Sequence, residues 1–184
     1  LTTEEPVPNP EGMVWHGVNH DAMCELSATV RRAVDSVSKK TELGLMTVGS
    51  IAHAAEGRDT PEMMDTLGPK QTRWFRPGSG FWTDEVPLEV LSKSEDAFRQ
   101  VCIAGDNIRP VSEVENYPYA AGGKSRTMLS LELHLNALAG LNDQSLNLFA
   151  ALHGLRERDD RLSSLLTETK PRLDAIAEET SDKR

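Results

Sequence analysis

The chain has 184 residues and a formal charge of −9, from 20 basic against 29 acidic side chains, with a pI near 5.1. Such a length suits one domain, or one domain with a helical extension, and can bury roughly 70% of its unfolded surface without staples. The acidic balance argues against a general binder of nucleic acid or anionic membrane, because the long-range field repels both. No apolar run approaches the ~20 residues that span a bilayer.

The chain opens on Leu1, read as the start of a trimmed or processed product or of part of something longer. No basic stretch followed by an apolar h-region survives there, so a signal peptide is not expected in this chain. Cys24 and Cys102 lie too far apart to suggest a disulfide framework, and two thiols fit a reducing compartment.

Residues 1–12 carry prolines and glutamates and predict an extended arm, taken to residue 18. A helix follows from Asn19 or Asp21, with Met23, Leu26, Val30, Val34 and Val37 on one stripe and Arg31 and Arg32 off it. Residues 42–55 continue apolar and predict a helix, a short strand at 43–48 being the alternative. Thr60-Pro61-Glu62 starts a short helix that Gly68-Pro69 ends. Residues 69–87 read as a long ordered loop. Ser94 caps a helix to Ala104, and 105–124 return to loop, with Ser112 and Glu115 as a capping box on a single turn. Met128 to Leu141 fits a helix better than a strand, since it holds no β-branched residue. A second helix is expected from Asp143 towards Lys170, about 42 Å long at 1.5 Å per residue.

Leu138, Leu141, Ser145, Leu148, Leu152, Leu155, Asp159, Leu162, Leu166, Thr169, Leu173 and Ile176 step by three and four throughout. This is the template of a helix–helix seam. Residues 155–184 surround it with seven basic and eight acidic side chains, so a neighbouring helix must cover the stripe. That helix belongs either to the chain's own bundle or to a second copy or partner. Asp159 could set register, whereas Gly140, Gly154 and Pro171 interrupt a continuous coil.

His16, His20 and Cys24 are spaced by four. On one helix they would share a face, and imidazole with thiolate is a zinc ligand set, with Asp21 orienting from outside. Against this, the expected helix start after His16 misaligns them, and incidental histidines at a helix entry are the plainer reading. No G-x-S-x-G, G-x-G-x-x-G or P-loop is present. Gly123-Lys124-Ser125 resembles the end of a phosphate loop, but Pro118 stands where its first glycine belongs, so a hinge is the simpler reading. Lys70 to Trp82 joins Lys70, Arg73 and Arg76 to Trp74, Phe75, Phe81 and Trp82, which are four of the nine aromatics. Such a segment can form a small core, a protein interface or a stacking surface for nucleic acid. Arg31 and Arg32 could extend its positive patch towards phosphates.

The expectation is a mainly α protein: an arm over 1–18, a helical bundle over 19–124 with an aromatic-basic loop at 69–87, and a leucine-rich helical region over 125–184. The expected role is a non-enzymatic, self-associating assembly subunit with coiled-coil character. Its contacts would be Trp74, Phe75, Phe81, Trp82 and Leu148, Leu152, Leu155, Leu162 and Leu166. The expected partner is a second copy or a partner helix, with no cofactor and no membrane. The alternatives are a nucleic-acid-packaging coat or nucleoprotein using Arg31, Arg32, Lys70, Arg73 and Arg76, and a small metal-binding protein or enzyme using His16, His20 and Cys24.

Overall fold

The computed structural model describes residues 10–68, 73–78, 83–115, 124–147 and 160–181, the side chains at 160–163 and 181 excepted. After a long helix α1 (Pro10–Val37), strands and helices alternate: β1 (Gly44–Met46), α2 (Ser50–Ala55), α3 (Thr60–Leu67), β2 (Arg73–Arg76), α4 (Glu89–Ala104), β3 (Ile108–Glu115), α5 (Arg126–Leu138), β4 (Asp143–Asn147) and α6 (Asp160–Ser181). The strands form one all-parallel sheet in the order β1-β2-β3-β4. The expected mainly α bundle is therefore wrong. The fold is α/β with a Rossmann-like alternation of strand and helix, and its sequential strand order contains no reversal.

The alternative strand at 43–48 is borne out by β1, and the helix expected over 42–55 is confined to α2; β2 and β4 carry little strand signal because they are short and poor in β-branched residues. β2 is Arg-Trp-Phe-Arg and β4 is Asp-Gln-Ser-Leu-Asn. β3 contains Pro110, which lacks an N–H and is unwelcome inside a sheet. It stands where β3 changes partner: Ile108 to Pro110 pair with β2, and Val111 to Glu115 pair with β4. The expected single turn at Ser112–Glu115 is instead the second half of this strand, and the expected loop at 69–87 contains β2.

The period of two sorts the strand residues onto two faces. Leu45, Phe75, Ile108 and Val114 point towards the helices. Phe75 packs with Met64 of α3 and with Ala97, Val101 and Ala104 of α4. Val114 packs with Leu129 and Leu133 of α5 and Leu165 of α6. The other face carries Gly44 beside Trp74 beside Arg109, then Arg76, Val111, Asp143, Glu113, Ser145 and Glu115.

Several helix boundaries moved. α1 begins at Pro10, inside the expected arm, because proline is well placed in a first turn, where its missing N–H costs nothing. α3 starts where expected, but Asp59 supplies the cap, accepting from the Glu62 N–H. α4 starts at Glu89, and Ser94 Oγ donates back to the Val90 carbonyl within the helix. α5 is capped by Ser125, which accepts from the Met128 N–H.

The continuous seam and the coiled coil are also corrected. Residues Asp143–Asn147, expected as helix, form β4, and α6 begins only at Asp160 and carries Pro171 within it. Leu138 is exposed, Leu141 belongs to the core under the sheet, and α6 meets the core beside α5 through Leu165, with the stripe residues Leu166 and Leu173 partly buried against it. No helix among the described residues is long and apolar enough to cross a membrane.

Candidate functional site

In open parallel α/β sheets ligands bind outside the carboxyl edge at a reversal of strand order; this sequential order has none, so its carboxyl edge is singled out by the charged residues gathered there. Here that edge brings together the ends of β1, β2 and β3. Arg76, the last residue of β2, forms an ion pair with Glu113 of β3, each side chain about one-fifth exposed. Glu115 lies two residues further on the same face. Burial pushes the Arg76 guanidinium below its ordinary range, and the charge of Glu115 opposes that shift. Lower on this face, Arg109 lies 4.2 Å from the Trp74 ring centroid and reaches Asp143 with two nitrogens, at 2.5 and 3.0 Å. Trp74 Nε1 donates to Glu42 at 2.7 Å. Gly44 leaves room for that indole, since a Cβ there would lie 2.7 Å from Trp74 Cβ.

The loops behind the edge are tied by a polar network. Thr47, just after β1, donates its N–H to the Arg76 carbonyl and its hydroxyl to Gln100 Oε1 at 2.7 Å, and accepts from the Gly78 N–H. Gln100 Nε2 donates to the Gly78 carbonyl at 2.7 Å and to Asp96 at 2.8 Å. Asp96 also accepts from the Ser50 amide at the start of α2 and from its hydroxyl. Gly78 is required here, because a Cβ would lie 1.8 Å from the Thr47 carbonyl oxygen. Beside this network, a cavity of about 80 Å³ is lined by Ser50, His53, Arg58 and Gln100. His53 Nε2 accepts from the Val48 N–H, while its buried Nδ1 has no partner among the described residues. Burial first, then Arg58, holds this imidazole below its ordinary range.

A second charged group supports the edge from the helix side. Lys93 of α4 and Lys124 each donate to one oxygen of Glu132 on α5, both at 2.5 Å, and all three side chains are buried. Burial pushes the Lys93 ammonium down, Glu132 and more weakly Glu115 oppose it, and Lys124 adds to it.

The residues singled out in the sequence part company. Trp74 and Phe75 are adjacent in β2 and point to opposite faces, one to the charged face and one into the core. Leu166 packs partly buried beside the α5–α6 core. Phe81, Trp82, Lys70, Leu148, Leu152 and Leu155 lie outside the described residues, as does the side chain of Leu162.

The four arginines expected to face phosphates make no common patch. Arg31 is buried, donates to the Thr41 and Leu67 carbonyls and pairs with Asp35. Arg73 pairs with Asp65 and donates to the Asp106 carbonyl. Arg76 is held by Glu113, and exposed Arg32 donates to Thr29 at 2.9 Å.

The early start of α1 does put His16, His20 and Cys24 on one helix. His20 and Cys24 meet Glu62 of α3, whereas the His16 ring packs edge-on to Trp15 instead. Side-chain bonds to Asp21 and then Glu62 raise the His20 imidazole above its ordinary range, against some desolvation. Burial first, then Glu62 and Asp59, pushes the Cys24 thiol up.

Sequence reading missed Glu113, Lys93 and Glu132, gave Glu115 a capping role, and took Lys124 for part of a hinge. The available signal was the near-alternation Ile108-Arg-Pro-Val-Ser-Glu-Val-Glu115, with Val111 and Ser112 out of step, which marks a strand with a mainly apolar and a mainly charged face. Comparison of the chain with protein-family models, curated proteins and solved structures yields no match.

Proposed function

We propose that the chain is an α/β enzyme domain that binds a neutral polar small molecule at the carboxyl edge of its sheet and moves a proton there through Glu113 or Glu115. The observation that carries this reading is the Arg76–Glu113 pair at the ends of neighbouring parallel strands, with Glu115 beside it. Carboxylates two residues apart on one strand face can accept and return a proton, and an arginine paired with the first orients it. Because Glu42, Glu113, Glu115 and Asp143 face Arg76 and Arg109, the surface favours hydroxyl or amide groups over phosphates.

This reading replaces the assembly role built on a continuous leucine seam. A panel of neutral hydroxylated and amide compounds, run beside phosphorylated ones in a thermal-shift assay, tests it. A neutral compound is expected to bind, and Glu113→Gln to weaken it by about 10- to 100-fold, the worth of a charge-assisted hydrogen bond. Binding only of anions, or binding unchanged in Glu113→Gln and Arg76→Lys, would overturn it.

A second reading, self-association, has its own observation. Leu26, Val30 and Val37 are exposed on one face of α1, and an apolar strip of that kind marks a contact surface. Light scattering across concentration tests it; a strict monomer at high concentration counts against it.

A further inference from the structure

His20 and Cys24 stand one helical turn apart on α1, and Glu62 stands opposite them in the first turn of α3. One ligand atom from each lies within 4.8 Å of the other two. His20 Nε2 is 3.0 Å from Glu62 Oε2 and 3.8 Å from Cys24 Sγ. We propose that these three side chains bind a zinc-class divalent cation, with water as fourth ligand, and that the ion docks α1 onto α3.

The spacing suits the ion. Zinc–ligand bonds of about 2.0–2.3 Å in a tetrahedron place ligand atoms about 3.3–3.7 Å apart, close to both His20 distances, and side-chain adjustment that brings Cys24 and Glu62 to the same separation completes the set. A nitrogen, a sulfur and one carboxylate select zinc over magnesium or calcium, which take oxygen ligands. The outer shell is in place as well. Asp21 Oδ1 lies 3.1 Å from His20 Nδ1, which fixes the ring and leaves Nε2 for the metal. Asp59 accepts from the Glu62 N–H at 2.9 Å and so holds the turn that presents the carboxylate.

The fold gives the ion a task. The buried residues of α1 are Ser27 and Arg31, both polar, so apolar burial does little to fix this helix. Its other hydrogen bonds to the α2–α3 region among the described residues include those from Asn19 to the Glu56 carbonyl and from Arg31 to the Leu67 carbonyl. A coordinated ion would turn the His20–Glu62 contact near the middle of the helix into a metal bridge. On binding, the Cys24 thiol releases its proton to solvent and the thiolate forms the sulfur–metal bond.

The test uses the full chain, stripped with a chelator and titrated with Zn²⁺ and, separately, Co²⁺. The expected result is one equivalent bound at micromolar concentration or tighter, a higher Tm with Zn²⁺, and a near-ultraviolet thiolate-to-cobalt band that Cys24→Ser abolishes. His20→Ala and Cys24→Ser are expected to weaken Zn²⁺ by at least ~100-fold, and Asp21→Asn by about 10-fold or more. Glu62→Gln keeps the fold measurable, because that side chain is 55% exposed; it too is expected to weaken binding. No binding by the stripped chain, or affinity unchanged in both Cys24→Ser and Glu62→Gln, would overturn the proposal.

Discussion

The two faces of the sheet are built from the same strands and do opposite work. On one, Phe75 and Val114 are almost wholly buried among leucines, methionine and alanines from four helices. On the other, the neighbouring residues Trp74, Arg76, Arg109 and Glu113 pair with one another and remain partly open. Side chains one residue apart thus serve different ends, the first set holding the fold and the second left for chemistry. Strand register is what separates them, because a slip by one residue would exchange the faces.

The largest way to break this contrast is to remove a buried charge. Glu132→Ala leaves Lys93 and Lys124 unbalanced in the interior and is expected to cost about 3–5 kcal/mol in denaturant unfolding. Phe75→Ala removes a ring from the centre of the core and is expected to cost a similar ~3–5 kcal/mol. Arg109→Ala, one strand over on the charged face, is expected to cost about 1 kcal/mol or less, since its pair with Asp143 is half exposed. Near-equal losses for Phe75→Ala and Arg109→Ala would contradict the division between faces.

Smaller effects probe the carboxyl edge. Gly78→Ala drives a methyl into the Thr47 carbonyl and is expected to cost about 1–3 kcal/mol through displacement of the loop after β2. The smallest concerns pH. The folded state holds the His53 imidazole below the ordinary 6.5, so it binds fewer protons there than the unfolded chain. Stability from this group is complete above about pH 6.5 and is lost as pH falls through that value towards the folded pKa. Urea unfolding at pH 7.5 and 5.5 is expected to show a steeper acid loss for the parent than for His53→Gln. A shallower one would give the wrong sign.

The helices were legible because their signals are local. Pro61 marks the start of α3, and Ser125 caps the leucine-rich α5. Of the sheet only β1 was legible, as the alternative strand at 43–48; β2 holds four residues and becomes a strand only through its neighbours. The leucine spacing across 138–176 was real as a pattern, yet β4 interrupts it, since Asp143–Asn147 finds a better place beside β3. The His20–Cys24 pair was visible as an interval of four. Its partner Glu62 was not, being 42 residues from His20 in sequence and adjacent only through packing of α3 on α1. Glu113 and Glu115 were hidden for the same reason as their strand.

The central claim is that the carboxyl edge of the sheet binds a neutral polar small molecule. Amide NMR shift mapping with a hit from the neutral panel tests it most directly. The expected result is a cluster of shifted signals at Thr47, Arg76, Gly78 and Glu113 to Glu115. Shifts confined to α1, or spread without a centre, would contradict it.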